Sequence, residues 1–376
     1  MGERILTILR KEFRSILRDP RMRMVIFGLP IIQCLIFGYA VTMDVRHIRL
    51  VVIDRDGTPA SRALITRFTG SGYFDAIAYT NDETRARALI DAADASAILQ
   101  INARFGANLD AGRTAAVQLL VDGSDSNTAR LVLNYSVSIA TAYSNQVLVD
   151  QTLRQTGRTA LPGGVELRHR AWFNENLESR NYIVPGIMAM LVMLVTLMLT
   201  SMAIVREKEA GTIEQIMVTP IRPVEFILGK CAPFAVIGYI DVLLVTAVGV
   251  FWFDVPIRGS LLLLLASTSL FLMTTLGIGL FISTVSGTQQ QAMMTTFFFF
   301  FPAMLLSGFI YPVANMPPVI QWITLANPLR HFLVIIRSIF LKGVGAEVLW
   351  PQMAALLVIG LAVMTFAVKR FHKTIA

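Results

Sequence analysis

A chain of 376 residues with 55% hydrophobic and 15% charged residues is too apolar for a soluble protein, in which about a quarter of residues are charged. Asp, Glu, Lys, Arg and His are all missing from the 71 residues between Gly259 and Leu329, which excludes a water-facing surface over that stretch. The formal net charge of +8 does not imply a nucleic-acid partner, because residues 44–180 hold 15 Arg against 15 Asp plus Glu and the remaining 18 basic and 10 acidic residues (18 − 10 = +8) lie beside apolar segments. There anionic headgroups attract them, and no basic stripe interleaved with aromatics suggests nucleic acid.

Residues 1–20 place Ile5, Leu6, Leu9, Phe13, Ile16 and Leu17 on one helical face and Arg4, Arg10, Lys11, Arg14 and Arg18 on the other. That pattern predicts an amphipathic helix in the cytoplasmic bilayer interface, with packing on a soluble domain as the competing use. Asp19-Pro20 ends it. Residues 24–43 then supply 20 uncharged positions, about 30 Å of helix and enough to cross a bilayer. A cleaved signal peptide is the alternative, but the apolar region exceeds the usual signal length, so an uncleaved first span is expected.

Residues 44–179 change character. Strand-like runs at Ile48–Ile53, Phe74–Tyr79, Ala97–Ile101 and Val117–Val121 alternate with helical periodicity at Thr58–Phe68 and Asp82–Ala93, which predicts a small α/β domain. A long helix is expected from Asn127 to about Gln155. The Asp122-Gly123-Ser124-Asp125 turn reads as a helix start, since it lacks the further ligands of a calcium loop. The segment contains no cysteine and therefore no disulfide framework.

Five further apolar stretches follow, at Tyr182–Val205, Cys231–Phe253, Ser260–Ser286, Met293–Tyr311 and Val348–Val368. The predicted fold class is an α-helical membrane protein with six transmembrane helices in a 1+5 layout, the α/β domain being inserted after the first span. Residues 180–376 form the second membrane portion. Lys and Arg in the short flanks number seven in 1–23, four in 206–230 and three in the tail, against four on the opposite side. By the positive-inside rule both termini are then cytoplasmic and the α/β domain external.

The segment 206–222 between spans two and three begins Arg206-Glu207-Lys208-Glu209-Ala210-Gly211-Thr212-Ile213-Glu214-Gln215 and reaches Thr219-Pro220. Gly211 suits the left-handed residue that ends a helix, and Thr212 with Gln215 has capping-box spacing for a second one. Such a cytoplasmic elbow offers a handle to a soluble motor; a solvated hinge is the plainer alternative. With these residues in view the chain resembles type-2 ATP-binding-cassette (ABC) permeases of the multidrug-type branch. Similar motifs recur at Arg18-Asp19-Pro20-Arg21, Val184-Pro185-Gly186, Leu306-Ser307-Gly308-Phe309, Asn315-Met316-Pro317-Pro318 and Asn327-Pro328-Leu329-Arg330. Arg222-Pro223 departs from the Ser-type cap expected before span three.

The resemblance implies a permease subunit of an exporter, paired with a second copy or homologue. It would dock an ABC ATPase subunit through Glu207, Lys208, Glu209, Gly211, Thr212, Glu214 and Gln215, and that ATPase would bind the ATP and magnesium. It also implies that spans two and five line the dimer centre, that a re-entrant element occupies 312–346, and that a periplasmic adaptor protein is a possible partner.

No Gly-x-x-x-x-Gly-Lys-Ser/Thr loop occurs: Gly229-Lys230-Cys231 lacks the earlier glycine and the hydroxyl. The chain is therefore expected to supply transport and not ATP hydrolysis. No metal-ligand spacing or catalytic constellation is expected, and His47, His169, His331 and His372 are scattered. Asp241, near the middle of span three, is costly in hydrocarbon unless paired or hydrated. It is a candidate contact for cationic cargo, or else glue between helices. Met193 among the span-two methionines, Phe297 and Phe301 of the phenylalanine run, and Pro302, expected to kink span five, complete the candidate pathway. The competing function is a membrane-anchored sensor whose external domain binds a ligand.

Overall fold

A computed structural model describes residues 13, 18, 20–40, 47–156, 172–174, 178–211 and 223–375. The chain divides into two compact units, Met43–His169 and the remainder. The expected interfacial helix 1–20 lies outside the described residues apart from three positions.

Helix α1 (Leu29–Ala40) follows without a break from a short turn, Pro20–Arg23, and a π-helical turn, Met24–Gly28. In the α/β unit come β1 (Ile48–Asp54), α2 (Pro59–Thr69), β2 (Phe74–Tyr79), α3 (Glu83–Asp91), β3 (Ala97–Ile101), α4 (Phe105–Asp110), β4 (Val117–Val121) and α5 (Ser126–Thr156). The sheet order is β2-β1-β3-β4, with β1 parallel to both neighbours and β4 antiparallel at one edge.

Central strand β1 is apolar throughout Leu50–Ile53 because both of its faces are covered. Ile48, Leu50 and Val52 pack with Leu64, Phe68 and Phe105, and Val51 and Ile53 with Ala86 and Ile98. Helix α2 starts where the Thr58 side chain accepts from Ser61 N with Pro59 in the first turn, and α3 where Asp82 accepts from Thr84 N.

The strands coincide with the apolar runs, whereas α4 was not expected. It begins after Arg104, which holds a left-handed backbone at φ +67°, a conformation that no helical periodicity announces. The turn from β1 to α2 is closed by Asp54: Oδ1 accepts from Asp56 N and Gly57 N, both at 3.0 Å, and Oδ2 from Ser61 Oγ at 2.7 Å. Asp54→Ala strands those donors and is expected to destabilise the unit by about 2 kcal/mol. Hydrogen exchange on the full chain checks this, with faster exchange confined to β1 and α2 and unchanged exchange counting against it.

The other unit contains α6 (Ser179–Glu209), α7 (Pro223–Phe251), α8 (Leu261–Val285), α9 (Gln289–Leu305), α10 (Pro318–Thr324), α11 (Pro328–Arg337) and α12 (Ala346–Ile375). Among the described residues α6, α7, α8 and α12 are long and apolar enough to cross a membrane. The pair α10 and α11, bent by 81°, would add one more if counted as a broken span. The chain is thus a helical, multi-pass membrane protein.

Expected span one is helical through Ala40, with 41–43 outside the described residues, whereas expected span five is shorter than its apolar run suggested. Span five ends at Leu305, not Tyr311, so Pro302 sits in the last turn and bends no continuing helix. Gly308, at φ +85°, then turns the chain away. The bent pair falls inside the stretch expected to be re-entrant, and it is pinned by Asn327 Nδ2 donating to Ala303 O at 2.7 Å. His331 is also partnered: Nδ1 meets Gln352 Oε1 at 2.6 Å and Nε2 meets Leu325 O at 2.9 Å.

Helix α6 is the axis of this unit, with most of its residues buried by α1, α7, α8, α9 and α11. Hydrophobicity cannot drive helix association inside lipid, so small residues and hydroxyls do that work. A Cβ on Gly279 of α8 would lie 2.8 Å from Thr200 Cβ of α6, so only glycine allows that approach. Thr196 Oγ1 donates to Thr275 Oγ1 at 3.0 Å and Thr296 Oγ1 to Ser201 Oγ at 2.9 Å, joining α6 to α8 and α9.

Candidate functional site: a charged clamp at one end of the bundle

The end of α6 carries three consecutive charges, Glu207-Lys208-Glu209, and each is tied to a different neighbouring helix. Glu207 Oε1 accepts from Lys230 Nζ of α7 at 2.6 Å, in a pair whose side chains are only 12% and 6% exposed. Lys208 Nζ donates to the carbonyls of Thr284 and Ser286 at 3.3 and 3.5 Å. Those carbonyls close α8, where a cation meets the negative end of the helix dipole. Glu209 Oε1 accepts from Gln289 N at 2.9 Å, and Oε2 from Gln289 Nε2. An acid is thereby placed on the N-terminus of α9.

Helix propagation sets this geometry. Residues three and four apart share a helical face, so three consecutive residues point about 100° apart and reach three separate neighbours. Helix α6 ends at Glu209, with Ala210 as its cap. Gly211 adopts φ +68°, the left-handed conformation expected of it, and accepts the turn that closes the helix. Thr212, Glu214 and Gln215 lie outside the described residues.

The sequence marked Glu207, Lys208 and Glu209 as a surface for a partner. In the structure their side chains engage the ends of α7, α8 and α9, as a clamp within the chain. The other halves of the clamp, Lys230, Gln289 and the end of α8, were not identified from sequence. A lysine at the border of an apolar span, five positions after Glu225, was the available signal for Lys230. Helix α7 itself begins at Pro223, a residue suited to the first helical turn.

The candidate pathway residues are not gathered in one place. Met193 and Asp241 are fully enclosed, so in this conformation neither lines an open surface. Both carboxylate oxygens of Asp241 lack a hydrogen-bond partner, as does Ser267 Oγ of α8. Phe297 and Phe301 stack at 6.0 Å on α9, Phe297 half-buried and Phe301 exposed. Pro302 lines an apolar cavity of about 760 Å³ together with Phe298, Phe299, Ile323, Asn327 and Phe366, bounded by α8, α9, α10 and α12.

A bundle of apolar helices with one end stitched by buried charge, joined in sequence to a separate α/β unit, defines a multi-pass membrane protein. The family model described as ABC-2 family transporter protein matches residues 20–369, and the chain belongs to that family. It is 32% identical over 375 residues to the "Probable multidrug ABC transporter permease YbhR" of Escherichia coli (strain K12), covering 100% of both chains. It is 33% identical over 342 residues to the "Probable multidrug ABC transporter permease YbhS" of the same strain, covering 90% of this chain and 89% of the other. To the "Inner membrane transport permease YhhJ" of that strain it is 29% identical over 381 residues, covering 97% and 96%.

Proposed function

We propose that the chain is the transmembrane subunit of an ABC exporter that moves hydrophobic or amphipathic small molecules out of the cytoplasm or the membrane. A separate ATPase subunit drives it, binding the ATP and magnesium. The observation that carries this reading is the clamp. Any force applied to the segment beginning at Thr212 reaches α6 through Gly211 and is shared at once with α7, α8 and α9. Four helix ends held as one body are what a motor needs to switch a pathway between inward and outward access.

Two identical or homologous subunits would each engage one ATPase. The clamp end, flanked by the basic segments of 206–230 and the tail, would face the cytoplasm with both termini, and the α/β domain would lie outside. There it has a surface for a periplasmic adaptor. Cargo selection by apolar contact fits the aromatic face of α9 and the relatives' multidrug names.

Because Glu209 is engaged within the chain, the docking test belongs beyond Gly211. Glu214→Lys combined with Gln215→Lys is expected to reduce the copurifying ATPase at least tenfold while leaving the thermal midpoint of the membrane subunit unchanged. An ATPase retained at the normal ratio, or transport by the chain with no nucleotide-binding subunit present, would falsify the reading.

A further inference from the structure

At the end of the bundle away from the clamp, Arg337 closes α11 against the start of α6. Its guanidinium carbon lies 3.5 Å from the Tyr182 ring centroid and 5.7 Å from that of Phe309. Its Nε and Nη2 are enclosed and make no hydrogen bond, although the Tyr182 hydroxyl lies close enough to the guanidinium to stabilise its charge. These two nitrogens form one edge of the guanidinium, the edge that makes paired bonds to carboxylate or phosphate. Ring faces compensate part of the charge, but they accept no in-plane hydrogen bond, and a buried donor left unsatisfied needs an explanation.

The surroundings are built to leave that edge free. Gly186 forms the floor: a Cβ there would lie 2.3 Å from the Phe309 ring and 3.2 Å from Arg337 Nη2, so any larger residue would displace both. The Phe309 ring lies against Gly186, one residue after Gly308 at φ +85°, and its own N–H is held by Ser307 Oγ at 3.2 Å. No Asp or Glu occurs between Asp254 and Glu347, while Arg258, Arg330, Arg337 and Lys342 all do. Arg330 is satisfied by Gln321 O and Thr324. Arg337 has no such partner for its free edge.

This end also carries the bundle's exposed amphipathic rings. Tyr182 at the start of α6, Trp252 just past α7 and Trp350 in the first turn of α12 are all exposed. Gly249 packs on Val184, which sets the end of α7 beside the start of α6. Tyr and Trp in such a belt mark the level of lipid headgroups.

We propose that Gly186, Tyr182 and Arg337 form a seat for the phosphate of an anionic amphiphile, closed in this conformation by Phe309. Movement of the Phe309 ring about the Gly308 turn exposes the Nε–Nη2 edge, and two oxyanion oxygens take the two N–H groups. The amphiphile's chain then lies along the apolar flank of the bundle. The seat deepens the transport reading by giving an exporter a charge-selective contact. Lipid retention is measured without ATPase or cargo, however, so its failure is separable from that of the exporter reading.

The test is native mass spectrometry of the purified full chain in neutral detergent, with phosphatidylglycerol and phosphatidylcholine of equal chain length. The wild type should retain the phosphatidylglycerol preferentially. Arg337→Gln should weaken that retention about tenfold, as expected for the loss of charge-assisted bonds, with Arg337→Lys intermediate. Phe309→Ala should strengthen it, and this variant decides the matter if Arg337→Gln does not fold. Displacement by decyl phosphate alone assigns the seat to a headgroup; equal displacement by inorganic phosphate supports the seat but assigns it to a free anion. Equal retention of both lipids by the wild type, retention unchanged in Phe309→Ala, or displacement by neither phosphate overturns the proposal.

Discussion

Replacing Lys230 by alanine is expected to destabilise the helical bundle by about 3–5 kcal/mol, the range for removing one partner of a buried ion pair. The penalty arises because Glu207 loses its Lys230 contact in a site where its side chain is only 12% exposed, so the desolvation of its charge is less well compensated. Glu207→Ala should cost a similar amount, for the same reason with the signs reversed. The double replacement Glu207→Leu with Lys230→Met should recover most of the loss, since an apolar pair of similar volume need not satisfy any charge. Unfolding of the purified chain in detergent, followed by circular dichroism, measures all three. Equal losses in the double variant and the single ones would show that the pair acts through something other than its charge. The functional counterpart follows from geometry: the apolar pair restores stability, but it lacks the directional contact that joins α6 to α7. Nucleotide-driven transport should therefore recover less than folding does.

The elements that were legible in the sequence are those decided by local physics. Strands β1 and β3 sit on largely apolar runs because a central strand covered on both faces must be mostly apolar, while edge strand β2 alternates buried or half-buried with exposed positions. Ser260 and Thr288 begin α8 and α9, each accepting from a backbone N–H three residues on, because the short hydroxyl side chain satisfies a donor the helix leaves free. Gly211 ends α6 because it alone there tolerates a positive φ at no cost.

What was not legible depends on side chains meeting across helices. Glu207-Lys208-Glu209 has the composition of a solvated surface, and nothing in its spacing says that Lys230, 23 residues on, or Gln289, 80 residues on, will return to meet it. The early end of α9 was missed for a related reason. Hydrophobicity continues through Leu306 and Phe309, while the chain stops being helical where Gly308 and the packing of Phe309 on Gly186 redirect it. Span-length reasoning measures apolar content, which here outruns the helix. The motifs that resemble the family's coupling region could not say that the charges there hold the bundle's own helices.

Asp241→Leu is expected to make the bundle more stable, by about 1–3 kcal/mol, because a leucine forfeits no hydrogen bond where the aspartate's two oxygens have none and removes a polar group from an apolar interior. An interior carboxylate that pairs with nothing in this conformation is expected to weaken the fold and to be positioned to act when the helices rearrange. On the exporter reading that action is contact with a positively charged cargo as α7 shifts against α6 and α8. Asp241→Asn, which keeps the shape and removes the capacity for negative charge, should then lower transport of lipophilic cations severalfold and leave neutral compounds at the wild-type rate. Reconstituted vesicles carrying the chain with its ATPase, assayed with one cargo of each kind, make the comparison. Loss of stability in Asp241→Leu would mean that the carboxylate holds helices together. A parallel decline for both cargoes in Asp241→Asn would place its role in packing and not in selection. Enclosure at 0% exposure adds a further condition: any cation dependence must pass through a second conformation in which α7 has moved. Crosslinking Gly238 of α7 to Leu272 of α8, neighbours across that interface, through a cysteine pair should therefore abolish cation transport, and reduction should restore it.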